Sequence, residues 1–172
     1  HAPVLGSELI AAADGARRVV DGTLGGGGHA SLFRQTGAEV LGIDRDPDAL
    51  AAAKKRLGET GMRYLQTSYA SDEAIEAIRQ FSPEFILLDL GVSSHQLDQD
   101  DRGFSFRPGA PLDMRMGQSG PTAADLLNRA PESELRRIFA DYGDEPRAAR
   151  LARELIRRRG NQAFATSDHL VN

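Results

Sequence analysis

The chain has 172 residues, 40% of them hydrophobic, which suffices for one domain, or for one domain with an appendage. It contains no cysteine, which excludes disulfides, Cys-bearing zinc sites and a thiol nucleophile, and we predict no metal site. The net charge of −4 gives no global basic field for nucleic acid, and no apolar run approaches the ~20 residues that cross a bilayer. Since the start also lacks a signal-peptide pattern, we expect a cytoplasmic protein without membrane contact. Nothing indicates its oligomeric state.

The first half of the chain alternates predicted helices with predicted strands. The sequence predicts, in chain order, a helix over 7–13, a strand over 18–21, a helix over 29–35, a strand over 39–43, a helix over 47–57, a weaker strand over 63–67, a helix from Ser71 and a strand over 84–90. Asp46 is predicted to cap the third helix, with Pro47 in its first turn. The last strand is apolar enough to be buried on both faces. This order is typical of a parallel sheet with right-handed crossovers.

The character of the sequence changes after Gly91. Residues 91–121 form a polar segment rich in Gly, Asp, Ser and Pro without a clear period, and a loop of this length is usually functional or disordered. Strand patterns do not return. Helices are predicted over 122–129, 131–142 and 146–159.

Four consecutive glycines, Gly25–Gly28, follow an apolar run that ends in Asp21, and the next apolar run ends in Asp44. This arrangement is typical of an adenosine-ligand site, because glycines let the backbone approach the ligand and the second carboxylate can accept ribose hydroxyls. Gly25, Gly27 and Ala30 also satisfy the dinucleotide pattern. A nicotinamide-dependent Rossmann oxidoreductase therefore remains an alternative.

The placement of acidic residues favours one adenosine ligand over the other. Asp21 ends the first strand, close to where a dinucleotide would place its pyrophosphate, and Asp89 ends the fourth apolar run. Three strand-end carboxylates repel a dianion and favour the sulfonium and ammonium of S-adenosyl-L-methionine. The alternative interpretation is that Asp21 and Asp89 only cap neighbouring turns.

Three sequence blocks lie between Asp89 and Met116: DLGVSSHQLD (89–98), DRGFSF (101–106) and PLDMRM (111–116). They resemble the bacterial ribosomal small-subunit RNA cytosine-N4 methyltransferases. The opening HAPVL, the GGH at 27–29, the IDRDP at 43–47 and the YGDE at 142–145 fit the same family, so the resemblance runs essentially end to end.

The resemblance implies a partial Rossmann-like sheet of the class I methyltransferase type, with an inserted all-helical module. Residues 1–94 would be the S-adenosylmethionine-binding domain and 95–172 the helical inserted domain on the substrate side. Members of this family continue past this point with further strands, so we expect a truncated chain. A catalytically inert fragment that binds cofactor or RNA is therefore a further alternative.

The resemblance also implies which residues contact S-adenosylmethionine. One of them, Tyr69, stands where the family usually has phenylalanine, and its ring would stack on adenine. His29 is expected to be a neutral contact to the methionine moiety. The implied contacts are Gly27, Gly28, His29, Asp44, Tyr69, Asp89 and Gln96, to which the glycine pattern adds Gly25.

The implied substrate is the exocyclic N4 of one cytosine in the decoding region of small-subunit ribosomal RNA. Because the N4 lone pair is delocalised into the ring, a hydrogen-bond acceptor on the amino group would assist the reaction and take its proton. Asp89 and Asp113 are the candidates. Their alternative roles are cofactor ligand for Asp89 and an ion pair with Arg102 or Arg115 for Asp113.

The last predicted helix has a basic side and an apolar side. At helical spacing, Leu151, Leu155, Ile156 and three alanines share a side that we expect to pack inward. We expect the basic side to face RNA, with an ordinary solvated face as the alternative. The basic side comprises Arg147, Arg150, Arg153, Arg157 and Arg158.

Overall fold

The computed structural model describes residues 3–92, 97, 99–105 and 107–171. The chain forms two compact units, His1–Gly91 with Met116–Gln118, and Val92–Arg115 with Ser119–Asn172. The elements of the first unit are, in chain order, α1 (Gly6–Ala12), β1 (Arg18–Asp21), α2 (Gly28–Gln35), β2 (Glu39–Asp44), α3 (Pro47–Leu57), β3 (Met62–Gln66), α4 (Asp72–Phe81) and β4 (Phe85–Leu87).

The strands form one parallel sheet in the order β3-β2-β1-β4, which confirms the predicted α/β fold. In this sheet Val20 of β1 lies opposite Leu41 of β2 on one side and Ile86 of β4 on the other. The chain builds outward from β1 to β3 and then crosses to the far side of β1. Ligands of open α/β sheets bind at such a reversal, outside the carboxyl ends of the strands.

Both faces of the sheet carry a hydrophobic core. Val19 and Val40 point to the face on which α1, α2 and α3 pack, and Phe33 of α2 is 1% exposed there. Val20 and Ile43 point to the other face and pack with α4. The alternating direction of strand side chains explains this division, and burial on both faces explains why the middle residues of β1 and β2 are apolar.

The fourth strand differs from the prediction. It spans only Phe85–Leu87, and although Leu87 is buried, Ile86 and Leu88 are 50% and 45% exposed. Ile86 lies opposite Val20, on the face of the sheet that α4 covers, but α4 packs against β2, two strands away from β4. The prediction that this strand is buried on both faces is therefore wrong, because within the described residues β4 pairs with β1 alone and forms an edge.

The helix starts follow from local capping, as the sequence predicted. The Asp46 side chain accepts a hydrogen bond from the backbone N–H of Asp48, with Pro47 at the first position of α3. Ser71 caps α4 by accepting from the Ala74 N–H at 3.1 Å. These side chains satisfy N–H groups that have no partner within their own helix.

The second unit is built from helices around its own core. Its elements are a 3-10 turn (Asp100–Arg102), α5 (Ala123–Arg129), α6 (Glu132–Asp141), α7 (Ala148–Arg159) and α8 (Ser167–Val171). An isolated antiparallel bridge joins Pro111 to Thr166. No helix in the described part of the chain is long and apolar enough to span a bilayer. The core residues are Leu112, Leu127, Ala130, Leu135, Ala152, Leu155 and Phe164.

Two glycines in the loop of this unit share a left-handed backbone but differ in their surroundings. Gly103 has φ 74° and Gly109 has φ 83°. A Cβ at Gly103 would lie 2.4 Å from the carbonyl oxygen of Pro111 and 2.7 Å from the amide nitrogen of Asp113. A Cβ at Gly109 would meet no atom within 4 Å. Only Gly103 is therefore required for close backbone packing.

We predict that Gly103→Ala destabilises the chain more than Gly109→Ala does. Both variants carry the left-handed penalty of about 1–2 kcal/mol, and Gly103→Ala adds an overlap with backbone atoms that costs roughly 1–3 kcal/mol more. Urea unfolding followed by circular dichroism measures the difference. Equal losses in the two variants would contradict the close packing at Gly103.

Candidate functional site

The turn that follows β1 is held to both neighbouring strands. The Gly22 N–H donates to the Leu87 carbonyl of β4 at 2.9 Å, and the Leu24 N–H donates to the Ile43 carbonyl of β2 at 3.0 Å. The Leu24 side chain packs over Gly42, where an added Cβ would lie 2.7 Å from it. The turn therefore has a fixed position at the carboxyl ends of three strands.

The glycine run continues this turn into α2. Gly25 and Gly27 have φ values of 51° and 75°, and Gly27 is the N-cap of α2, with Gly28 as its first residue. A Cβ at Gly26 would meet no atom within 4 Å, and one at Gly25 only the Thr23 carbonyl oxygen at 3.9 Å. The run thus leaves open space beside a helix N-terminus, where a ligand can approach the backbone.

Asp44, the predicted ribose ligand, fixes the glycine run in place. Its Oδ2 accepts from the Gly25 N–H at 2.8 Å, and its Oδ1 accepts from the Asp46 N–H at 2.9 Å. Each carboxylate oxygen can accept a second hydrogen bond. Asp44 is partly exposed and retains acceptor capacity for a ligand hydroxyl while it holds the turn.

Asp21 lies beneath the same turn and is 1% exposed. Its Oδ1 accepts from the Thr23 N–H at 3.2 Å, while its Oδ2 is buried without a hydrogen-bond partner among the described residues. Burial raises the pKa of this carboxyl to about 6, and the charge of Asp44 acts in the same direction. The Thr23 N–H and the charge of His29 lower this pKa. The Ala30 N–H also lowers it, but this group does not form a hydrogen bond to Oδ2. One oxygen of the Asp21 carboxylate thus caps the turn, and the other is buried without a hydrogen-bond donor.

His29 and Asp89 lie next to each other at the same end of the sheet. The His29 Nε2 donates to the Val4 carbonyl at 2.9 Å, so the neutral ring carries its proton on Nε2, and Nδ1 lies 3.7 Å from the Asp89 carboxylate. The Asp89 side chain is 58% exposed, and its N–H donates to the Thr23 hydroxyl at 2.8 Å. Asp89 thus has a fixed backbone and a carboxylate that is accessible to a ligand.

The other predicted site residues fall in three places. Tyr69 is half-buried in the first unit, with its Cβ 3.4 Å from the position of an added Gly22 Cβ, so it lies beside the turn. Gln96 lies outside the described residues. Asp113 belongs to the second unit, where the Arg115 guanidinium donates two hydrogen bonds to it at 2.9 and 2.7 Å, and the Arg115 backbone N–H donates a third at 3.0 Å. These bonds hold the pKa of Asp113 below its usual value.

Sequence reasoning missed three residues that shape this site. Thr23 links β1 to Asp89, Val4 accepts the His29 proton, and the Arg56 guanidinium donates to the Gly26 carbonyl at 3.2 Å. Thr23 lies next to the glycine run and was a detectable candidate. Val4 and Arg56 make long-range contacts that no local pattern marks. Within the described residues no cluster of His, Asp and Glu side chains is arranged to hold a metal ion.

A cavity of about 920 Å³ lies at the opposite, amino-terminal end of the sheet. It is lined in part by Phe33, Arg17, Arg18 and Glu84. The Glu84 carboxylate accepts from the backbone N–H groups of Arg17 and Arg18, at 2.6 and 3.0 Å. The Glu84 carboxylate and these two backbone N–H groups therefore satisfy one another.

Comparison with known proteins gives consistent matches. A model of the MraW methylase family matches residues 1–172. A protein of Gemmatimonas aurantiaca named "Ribosomal RNA small subunit methyltransferase H" is 51% identical over 177 residues, which cover 100% of this chain and 56% of the relative. Proteins of the same name from Rhizobium meliloti and Myxococcus xanthus are 45% and 50% identical, covering 100% and 86% of this chain and 51% and 48% of their own lengths. The chain thus spans about half the length of the curated relatives it matches.

We predict that Asp21→Asn changes how the stability of the chain depends on pH. The pKa of Asp21 is about 6 in the folded state, against an ordinary value of 3.8. Between these two pH values the carboxyl is therefore mostly protonated in the folded state and mostly ionised in the unfolded state. The free energy of unfolding of the parent should therefore fall as pH rises from about 4 to 6, by roughly 3 kcal/mol relative to Asp21→Asn. Urea titrations of both proteins at pH 4 and pH 7.5 measure this change. A stability difference that is the same at both pH values would contradict the buried charge.

Proposed function

Because the chain belongs to the MraW methylase family, we propose that it uses S-adenosylmethionine to methylate the exocyclic N4 of a cytosine in small-subunit ribosomal RNA. One structural observation carries the proposal: an open glycine turn lies among carboxylates at the ends of β1 and β2 and just after β4. The relatives' name supports the RNA substrate. The motifs between Asp89 and Met116 support cytosine N4 in the decoding region. A ribosomal RNA substrate also supports a cytoplasmic location.

The charge of the crevice supports S-adenosylmethionine as the cofactor. The Asp21 carboxylate has an oxygen with no donor, and it lies under the turn that a ligand would approach. A ligand cation nearby lowers the electrostatic cost of ionising this carboxyl, whereas a pyrophosphate raises it. The glycine pattern fits both cofactors, and nothing in the described part of the structure favours a nicotinamide cofactor over S-adenosylmethionine. Because Asp21 is 1% exposed, it acts through its field and does not contact the ligand.

Other residues of the first unit would contact the cofactor directly. Asp44 would accept a ribose hydroxyl while it keeps its bonds to the turn. Gly25, Gly27 and Gly28 would allow close approach of the backbone, and the Tyr69 ring would stack on adenine. His29 would use its Nδ1 edge, since Nε2 is bonded to the Val4 carbonyl. When bound, S-adenosylmethionine supplies a methyl group on a positively charged sulfur.

Asp89 is the residue we propose as acceptor for the cytosine amino proton. Its carboxylate is accessible, and the Thr23 hydroxyl fixes its backbone N–H. A hydrogen bond from the N4 amino group to this carboxylate would draw electron density onto N4, and the proton would pass to Asp89. Asp113 is the weaker candidate, because its two bonds from the Arg115 guanidinium and lowered pKa reduce its basicity.

We predict that Asp44→Ala weakens S-adenosylmethionine binding tenfold to a hundredfold. The loss of charged hydrogen bonds to the ribose costs roughly 1.5–3 kcal/mol, which gives a factor of about this size. Isothermal titration calorimetry measures the affinity, and Asp14→Ala, an exposed carboxylate at the other end of the sheet, is the matched control. Equal affinity of Asp44→Ala and the parent would refute the assignment.

A second titration separates ribose binding from the hold of Asp44 on Gly25. If Asp44 accepts a ribose hydroxyl, Asp44→Ala should lose less affinity for a 2′,3′-dideoxy analogue of S-adenosylhomocysteine than for S-adenosylhomocysteine itself, because the analogue has already lost that bond. Equal losses for the two ligands would assign Asp44 to loop positioning alone.

The proposed reaction predicts transfer of tritiated methyl from S-adenosylmethionine to small ribosomal subunits. Digestion of the RNA to nucleosides should place the label in N4-methylcytidine. Asp89→Asn, which retains the shape but accepts a proton poorly, should lower the rate at saturating cofactor by about a hundredfold or more. Asp72→Asn, at the start of α4, is the control.

Two results would overturn parts of this proposal. Binding of S-adenosylmethionine without label in RNA would identify the chain as an inert cofactor-binding fragment. Label in another nucleoside would show that the chain is a methyltransferase but would refute cytosine N4 as its target.

A further inference from the structure

We propose that Arg147, Arg150 and Arg153, called here the arginine face, bind backbone phosphates of single-stranded RNA. This inference rests on the proposed RNA substrate and adds a specific surface to it. Residues 147–159 contain six arginines and one glutamate in a chain whose net charge is −4. The surroundings of each arginine in the structure separate those that stabilise the fold from those that face outward.

Three of these arginines have partners within the second unit. Arg157 donates to the Glu154 carboxylate at 3.0 and 2.5 Å. Arg158 donates to the carbonyls of Leu170 and His169 at 3.2 and 2.5 Å. Its predicted outward position is therefore wrong, because the guanidinium turns back to satisfy the carbonyls of α8.

Arg159 stabilises the unit in a similar way. Its guanidinium donates to the carbonyls of Leu127 and Ala130, at 3.2 and 2.7 Å, at the end of α5. Arg159 therefore compensates carbonyls that α5 leaves without an intrahelical partner. Like Arg157 and Arg158, it is explained by contacts inside the protein.

The three arginines of the arginine face are exposed, and none of them pairs with an acidic side chain of the described residues. Their spacing of three residues places them on adjoining parts of one helix side, about 4.5 Å apart along the axis per step. The Arg153 Nε donates to the Ala149 carbonyl at 3.3 Å, within its own helix. Glu154 forms its ion pair with Arg157, although its charge also interacts with that of Arg150. The Glu145 carboxylate accepts the backbone N–H of Arg147 at 2.8 Å and forms no ion pair with its guanidinium among the described residues.

The opposite side of α7 is fixed in the core. Ala148, Ala152 and Leu155 are buried, with Ala152 fully inaccessible and Leu155 2% exposed. The helix therefore cannot rotate to cover its arginines. Leu151, predicted to pack inward, is 37% exposed and lies at the border of the arginine face. That prediction is wrong because small alanines fill the centre of the contact instead.

An exposed aromatic ring precedes the arginine face. Tyr142 is the C-cap residue of α6, which packs against α7, and it is 76% exposed. The Arg137 guanidinium lies 5.6 Å from the ring centroid and donates to the Tyr142 hydroxyl at 3.3 Å. Guanidinium groups combined with an accessible ring are typical of surfaces that bind unpaired nucleotides, because the arginines bind phosphate and the ring stacks on a base. An acidic protein partner would not require the ring.

The test replaces Arg147, Arg150 and Arg153 with glutamine in one variant. Its control carries the same charge change at the amino-terminal end of the sheet, where three exposed arginines are replaced: Arg17→Gln, Arg18→Gln and Arg79→Gln. The probes are small-subunit ribosomal RNA and an unrelated single-stranded RNA of equal length, titrated from 50 to 300 mM salt.

We expect the arginine-face variant to bind both RNAs more weakly. Its slope of log affinity against log salt should fall by about 2, because each lost contact to a single strand contributes roughly 0.7. The control should retain the parental slope, and both variants should retain the parental affinity for S-adenosylmethionine. Tyr142→Ala should weaken RNA binding several-fold more than Tyr142→Phe, which keeps the ring.

The outcomes distinguish this inference from the proposed function. An unchanged slope in the arginine-face variant overturns the inference even if the parent methylates RNA. A lowered slope supports it even if the parent transfers no methyl group. If polyglutamate binds the parent and not the variant while RNA binds both equally, the face is a site for an acidic protein and the inference is wrong.

Discussion

The candidate site depends on the position of the turn after β1. Hydrogen bonds from Gly22 to β4 and from Leu24 to β2 hold the turn across the switch point of the sheet. Asp44 completes this arrangement by accepting the Gly25 N–H at 2.8 Å. Without these three bonds the glycine run would be free to sample many conformations, since glycine restricts its own backbone least. The direction of α2 and the open space beside Gly26 follow from the fixed turn.

Asp44 has one observed role, in holding the turn, and one proposed role, in binding the ribose, and the sequence pattern does not separate them. The pattern assigns the carboxylate to a ligand, whereas the structure shows both of its oxygens accepting backbone N–H groups. The two roles are compatible because a carboxylate offers about four acceptor positions. They are also coupled, because a ligand bound to Asp44 would meet a turn that the same residue has already ordered. Such preorganisation lowers the entropic cost of binding.

Asp21 contributes to the site at a cost to stability. Removing a carboxylate from water is unfavourable unless its oxygens find donors, and Oδ2 has none in the described structure. The raised pKa of about 6 expresses this cost. A hydrophobic residue at this buried position would give a more stable fold. A buried charge at this point is understandable if a cationic ligand offsets it, which is the condition that the proposed cofactor meets.

The sequence predicted the features that local physics determines. Alternating apolar runs located the strands to within a few residues, and Asp46 with Pro47 located the start of α3, because capping depends on neighbours in the chain. The exposure of Ile86 could not be predicted, because it depends on which strand pairs with β4. The contacts of Val4 and Arg56 with the glycine run link segments that are distant in the chain, and a single sequence carries no signal for such pairs.

The helical unit illustrates the same limit. Periodicity placed Arg147, Arg150 and Arg158 on one side of α7, but a long side chain can reach around its helix, and Arg158 does so to bond the carbonyls of α8. The contacts of the guanidinium, and not its position on the helix, decide which arginines are available to a partner.

The distribution of charge between the two units shows why this distinction matters. The second unit contains twelve arginines and twelve acidic residues, so the chain's net charge of −4 resides in the first unit. In the neutral second unit, Arg147, Arg150 and Arg153 are exposed and form no ion pair with an acidic side chain of the described residues. They form a local basic surface, and a polyanion is the partner that it suits.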